Sequence, residues 1–124
     1  MPSSRKQVSR CLETIGVEVT ALNDGREAYN YLLKMVEEGK APEKELLMQI
    51  SDIEMPEMDG YTLTSEIRAD SRMQKLHIIL HTSLSGVFNQ AMVKKVGADD
   101  FLAKFRPDEL AGRVAERIRI ADGG

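Results

Sequence analysis

The sequence predicts an α/β domain: a parallel sheet wound by helices on both faces. Two observations carry this expectation. Helical and strand signals alternate along the whole chain. The strand-like runs are short and apolar, and the strongest of them, Leu46 to Ile50 and His77 to Thr82, end in loops bearing reactive side chains. A chain of 124 residues makes one domain with a single core.

The elements follow in order. Ser4-Arg5-Lys6-Gln7 has the form of a capping box, and Val8, Cys11, Leu12 and Ile15 follow at helical spacing until Gly16 stops the helix. Val17 to Thr20 reads as a short strand rich in β-branched residues. Asp24-Gly25-Arg26-Glu27 is a second capping box. Ala28, Tyr31, Leu32, Met35 and Val36 form the buried stripe of its helix, which should end near Gly39. Lys40 to Lys44, with Pro42, reads as a polar connector to the strand Leu46–Ile50. Pro56 and Gly60 break the loop behind Asp52, and a third helix turns Leu63 and Ile67 inward.

His77 to Thr82 is expected to be a strand buried on both faces. Ser83 to Ser85 form a loop, and a helix carrying Phe88, Met92 and Val96 ends at Gly97. Asp99 to Ala103 is a short strand closed by Lys104-Phe105. Pro107 suits the first position of the last helix, with Asp108 and Glu109 complementing its dipole. Leu110, Val114 and Ile118 make that helix's apolar face, and Asp122-Gly123-Gly124 is expected to fray.

Composition excludes several function classes. A net charge of -3 makes no electrostatic case for nucleic acid or an anionic membrane. No apolar run approaches the roughly 20 residues that span a bilayer, and Met1 to Lys6 has no signal-peptide character. Cys11 is the only cysteine, so no intrachain disulfide or thiolate cluster forms. The expected compartment is the cytoplasm.

Asp52, Thr82 and Lys104 fall at the ends of three strands, which share one edge in a parallel sheet. A carboxylate, a hydroxyl and an ammonium around one point suit phosphoryl transfer to an aspartate. The carboxylate attacks phosphorus, Lys104 pairs with a phosphoryl oxygen, and Thr82 donates a hydrogen bond to another. Singly, each has a plainer reading: a turn cap, a strand end, a surface charge.

On these residues the chain resembles a response-regulator receiver domain from its first helix to its last. Asp52 matches the phospho-accepting aspartate, and Met55-Pro56 with Met58-Asp59-Gly60 match the family's loop. Thr82 matches the switch hydroxyl, Gly97-Ala98-Asp99 with Lys104 the segment bearing the family's lysine, and Phe101 the switch aromatic. The resemblance implies a flavodoxin-like, doubly wound sheet of strand order 2-1-3-4-5. Ile50 to Thr64 and Leu80 to Phe105 look like the C-terminal receiver of CheV-type chemotaxis coupling proteins. That likeness implies phosphorylation by a chemotaxis histidine kinase of the CheA type, a CheW-like domain upstream, and a role in tuning receptor–kinase coupling. Phe105 departs from the family, where Pro often follows the lysine, so the peptide bond after Lys104 is expected to be trans.

Receivers usually open on an apolar first strand ending in two or three acidic residues. With the phospho-accepting aspartate and a backbone carbonyl, those acids hold Mg²⁺. Here the first acidic residue is Glu13, inside the first helix, so neither the strand nor the acidic pair is found. Residues 1–124 are therefore expected to be an N-terminally truncated receiver, with a natural variant that lost its metal site as the alternative. About five buried aliphatic side chains at roughly 2 kcal/mol each would be lost, about 10 kcal/mol in all, against a typical stability of about 5–15 kcal/mol. A marginal monomer, and a dimer or strand-exchanged oligomer, are expected. Asp52, the carbonyl of Glu54 and at most the Glu54 side chain remain as metal donors, so weak or absent Mg²⁺ binding is expected.

Three function classes remain in view. The first is a phosphorylation-controlled signalling module, in which Thr82 moves toward phosphorylated Asp52 and Phe101 fills the vacated space. The second is a phosphorylation-independent interaction domain, a pseudo-receiver. The third is an aspartyl-phosphate hydrolase, suggested only by the loose motif Asp52-Ile53-Glu54. Beyond a receiver's own phosphoryl transfer and dephosphorylation, no enzyme activity is expected.

Overall fold

The computed structural model describes residues 4–82, 90–103 and 106–123. The elements run α1 (Ser4–Thr14), α2 (Gly25–Glu37), α3 (Pro42–Glu45), β1 (Gln49–Asp52), α4 (Gly60–Ala69), β2 (Ile78–His81), α5 (Gln90–Val96), β3 (Asp100–Leu102) and α6 (Pro107–Gly123). Among the described residues the three strands form one parallel sheet in the order β1-β2-β3. Gln49 to Asp52 stand opposite Ile78 to His81, and Ile79 to His81 opposite Asp100 to Leu102. This register puts the carboxyl ends of all three strands on one edge.

β2 is buried throughout, as its apolar run requires. Its side chains alternate between faces. Ile78 joins Leu32, Leu63 and Ile67 under α2 and α4, and Leu80 joins Val93 and Val96 of α5. Ile79 faces the other way, into a cluster with Val8 and Leu12 of α1 and Leu110 and Val114 of α6. The sheet is thus wound on both faces. Each fully buried Ile or Leu contributes about 1.5–3 kcal/mol relative to exposure.

Punctuation residues act largely as expected. Asp24 Oδ1 accepts from the Glu27 amide at 2.8 Å, while Glu27 Oε1 reaches back to the Asn23 amide at 3.2 Å. Gly16, Gly39 and Gly97 follow their helices with positive φ. Arg68 ties the base of the sheet together. Its guanidinium donates to the carbonyls of Gly97, Gln74 and Leu76 and to Asp99 Oδ2, at 2.7–2.8 Å.

Several expectations are corrected. Val17 to Thr20 forms no strand. A ladder needs a neighbour about 4.8 Å away, and a cleft of about 740 Å³ stands between this segment and β1, lined by Val17, Val19, Leu47, Met48 and Ile50. The connector around Pro42 closes one helical turn, because Pro at the first position donates nothing the helix needs. β1 starts at Gln49 rather than Leu46, its ladder beginning where the Gln49 amide donates to the His77 carbonyl. Ile15 lies beyond the end of α1 and is 43% exposed, and Ile118 is 37% exposed, so neither joins the core. α6 continues through Gly123 rather than fraying at Asp122. Ser83 to Ser85, Phe88, Lys104 and Phe105 lie outside the described residues.

Candidate functional site

Asp52 is the last residue of β1, at the carboxyl edge, and its side chain is 28% exposed. The Asp52 loop is set by backbone contacts. The Ile53 amide donates to the His81 carbonyl at 2.9 Å, continuing the ladder one step past the strand. The Gly60 amide donates to the Ile53 carbonyl at 2.9 Å, drawing the start of α4 under the loop. A Cβ at Gly60 would collide with the Asp52 carbonyl oxygen, so glycine here is a steric requirement. Asp59 caps α4, its Oδ1 accepting from the Thr62 amide at 2.7 Å. Between them Glu57 holds a φ of 66°, a conformation costly for a non-glycine residue and concentrated at functional loops.

Two side chains from the end of β2 meet this loop. His81 Nδ1 lies 2.9 Å from Asp52 Oδ1, and its ring is 1% exposed. An ionised carboxylate only accepts hydrogen bonds, so Nδ1 carries the hydrogen and donates it. His81 Nε2 is buried without a hydrogen-bond partner. Next along the chain, buried Thr82 donates its hydroxyl to Glu54, with both carboxylate oxygens at 3.1 Å. Its amide continues the sheet by donating to the Leu102 carbonyl at 3.2 Å.

The expected site residues therefore fall as follows. Asp52 and Thr82 sit at adjacent strand ends, and the Glu54 side chain, expected only as a metal donor, is instead bonded to Thr82. Phe101 lies on β3, packed against the Leu80–Val93–Val96 cluster. Lys104 lies outside the described residues. His81 was missed as a site residue. The available signal was a polar ring inside an otherwise apolar run, immediately before Thr82.

The profile of the response regulator receiver domain matches residues 1–115. This chain belongs to that family. Among curated relatives, the receiver is 28% identical over 115 residues to chemotaxis protein CheV3 of Helicobacter pylori, covering 92% of this chain and 37% of that protein. It is 35% identical over 118 residues to the probable transcriptional regulator ycf27 of Guillardia theta, covering 94% of this chain and 42% of that protein. The chain thus spans about two-fifths of the length of these relatives. The crystal structure of the receiver domain of sensor histidine kinase PA1611 from Pseudomonas aeruginosa superposes with a TM-score of 0.73 at 26% identity, covering 93% of this chain and 88% of that one. The sheet described above is thus a flavodoxin-like receiver fold in which the described residues supply three strands.

The PA1611 receiver holds a magnesium ion coordinated in its active-site cleft. In this receiver, no group of three or more His, Cys, Asp or Glu side chains suited to a metal ion gathers among the described residues. Asp52 and Glu54 bring carboxylates to the edge, but Asp52 Oδ1 is engaged by His81 and Glu54 by Thr82. Such a donor set does not fit a preformed octahedral magnesium site. No helix among the described residues is long and apolar enough to cross a membrane.

Proposed function

We propose that this receiver is a phospho-accepting module of two-component chemotaxis signalling, phosphorylated on Asp52 by a histidine kinase of the CheA type. The carrying observation is Asp52 itself: a partly exposed carboxylate at the carboxyl edge of β1, oriented by the adjacent strand. Its carboxylate attacks the phosphoryl phosphorus and the donor nitrogen departs. Lys104, assigned through the family resemblance, pairs with a phosphoryl oxygen. Thr82 leaves Glu54 for the phosphoryl group, and Phe101 moves into the space released. The added charge, close to two negative units, shifts a two-state population, and the altered α5–β3–α6 surface tunes receptor–kinase coupling. The CheV likeness supports a CheW-like partner domain and a cytoplasmic setting.

The second reading is a phosphorylation-independent pseudo-receiver, favoured by the lack of a three-ligand metal cluster among the described residues and by the Thr82–Glu54 bond. Incubation with a radiolabelled phospho-kinase or acetyl phosphate, with and without Mg²⁺, separates the two. Label on the wild type, slow to appear and lost in Asp52→Ala, is expected. No label under any condition leaves the pseudo-receiver.

A further inference from the structure

We propose that His81 is a positioning residue that shortens the lifetime of the phosphorylated state, by donating from Nδ1 to the Asp52 carboxylate. The inference rests on Asp52 being the phospho-acceptor. His81 stands directly opposite Asp52 in the β1–β2 register, so the fold aims the two side chains at one another. Its ring is 1% exposed, on the face it shares with Ile79. A polar ring in such a place costs free energy unless its nitrogens are satisfied. Nδ1 is satisfied by Asp52 at 2.9 Å, and Nε2 has no partner at all. An aliphatic residue, like the neighbouring Ile78, Ile79 and Leu80, would fill this position without an orphaned nitrogen. The contact that distinguishes histidine here is the one to Asp52.

That contact has a directional effect on chemistry. In the phosphorylated protein the Asp52 carboxyl is an acyl phosphate, and its remaining carbonyl is a neutral acceptor. In hydrolysis, water attacks phosphorus and forms the new P–O bond. The bond from phosphorus to the Asp52 oxygen breaks, its electron pair returning to the carboxylate, and the water's proton leaves with inorganic phosphate. Negative charge therefore grows on the carboxylate as the reaction proceeds. A hydrogen bond to a charged acceptor is roughly twice as strong as one to a neutral acceptor. His81 thus stabilises the departing carboxylate more than the acyl phosphate, and dephosphorylation is faster with the donor than without it.

The test loads the whole chain with label from acetyl phosphate, removes the donor and follows loss of label in wild type, His81→Leu and His81→Asn. Asn places an amide donor near the position of Nδ1. A lifetime about threefold longer or more in His81→Leu is expected, with His81→Asn close to wild type. If His81→Leu does not fold, His81→Phe supplies a ring without a donor. Heteronuclear NMR of the unphosphorylated wild type reads the imidazole tautomer directly. A protonated Nδ1 with a bare Nε2, perturbed in Asp52→Ala, is expected. Labelled protein whose lifetime is unchanged or shorter in the donor-free variants, or a tautomer with hydrogen on Nε2, overturns the role of His81 alone. A wild type that takes no label overturns the phospho-acceptor reading and this role with it.

Discussion

His77 enters β2 at its amino end, partly buried, with Nδ1 3.6 Å from Asp99 Oδ2. Burial pulls its pKa below the ordinary value of 6.5, and Asp99 pulls weakly the other way. The unfolded chain therefore takes up a proton more readily than the folded one. His77 imposes no penalty above the ordinary value, and stability falls as pH drops through 6.5 toward the depressed folded pKa. Melting temperatures measured across this window should decline for the wild type more steeply than for His77→Gln; parallel declines would contradict the assignment. The strand-end positions of Asp52 and Thr82 were legible in the sequence, because each follows an apolar run. The sequence did not show His81 as a partner of Asp52, since pairing opposite residues requires the β1–β2 register. Nor did it show Thr82 bonded to Glu54, which depends on how the loop after β1 folds back.

α4, β2, α5 and β3 are held at their bases by one side chain. Arg68 leaves α4, bonds the carbonyls that lead into β2, and reaches Gly97 and Asp99 between α5 and β3. Arg68→Met keeps the stem but leaves the part-buried carbonyls of Leu76 and Gly97 without this donor, which should cost about 1–3 kcal/mol. Urea denaturation reads this directly; a loss below about 0.5 kcal/mol would mean that the network is only surface decoration. No periodicity announces such a residue, because its partners are backbone carbonyls brought together by folding. The elements themselves were legible from helical spacing, glycine stops and proline starts. Two segments were not: the connector around Pro42 closes the short helix α3, and at Val17 to Thr20 β-branched residues favour a strand, but a strand also requires a neighbour, and here a cleft intervenes.

For the whole molecule, that cleft lies beside the edge of β1, which pairs with β2 alone among the described strands. A cavity of about 740 Å³ beside the β1 edge removes packing between β1 and helices on both faces of the sheet, α1 and α6 on one and α2 on the other. It leaves backbone of the described sheet open to another chain. Association through this edge should stabilise the fold by mass action, so the melting temperature should rise with protein concentration. A melting temperature independent of concentration, with a compact monomer in gel filtration, would contradict that. The proposed acceptance of a phosphoryl group by Asp52 can be read at that one residue. Treatment with acetyl phosphate followed by borohydride reduction converts an aspartyl phosphate to homoserine, which peptide mass spectrometry can place. Homoserine at position 52, and at no other aspartate, is the predicted result; homoserine elsewhere, or none, would contradict it.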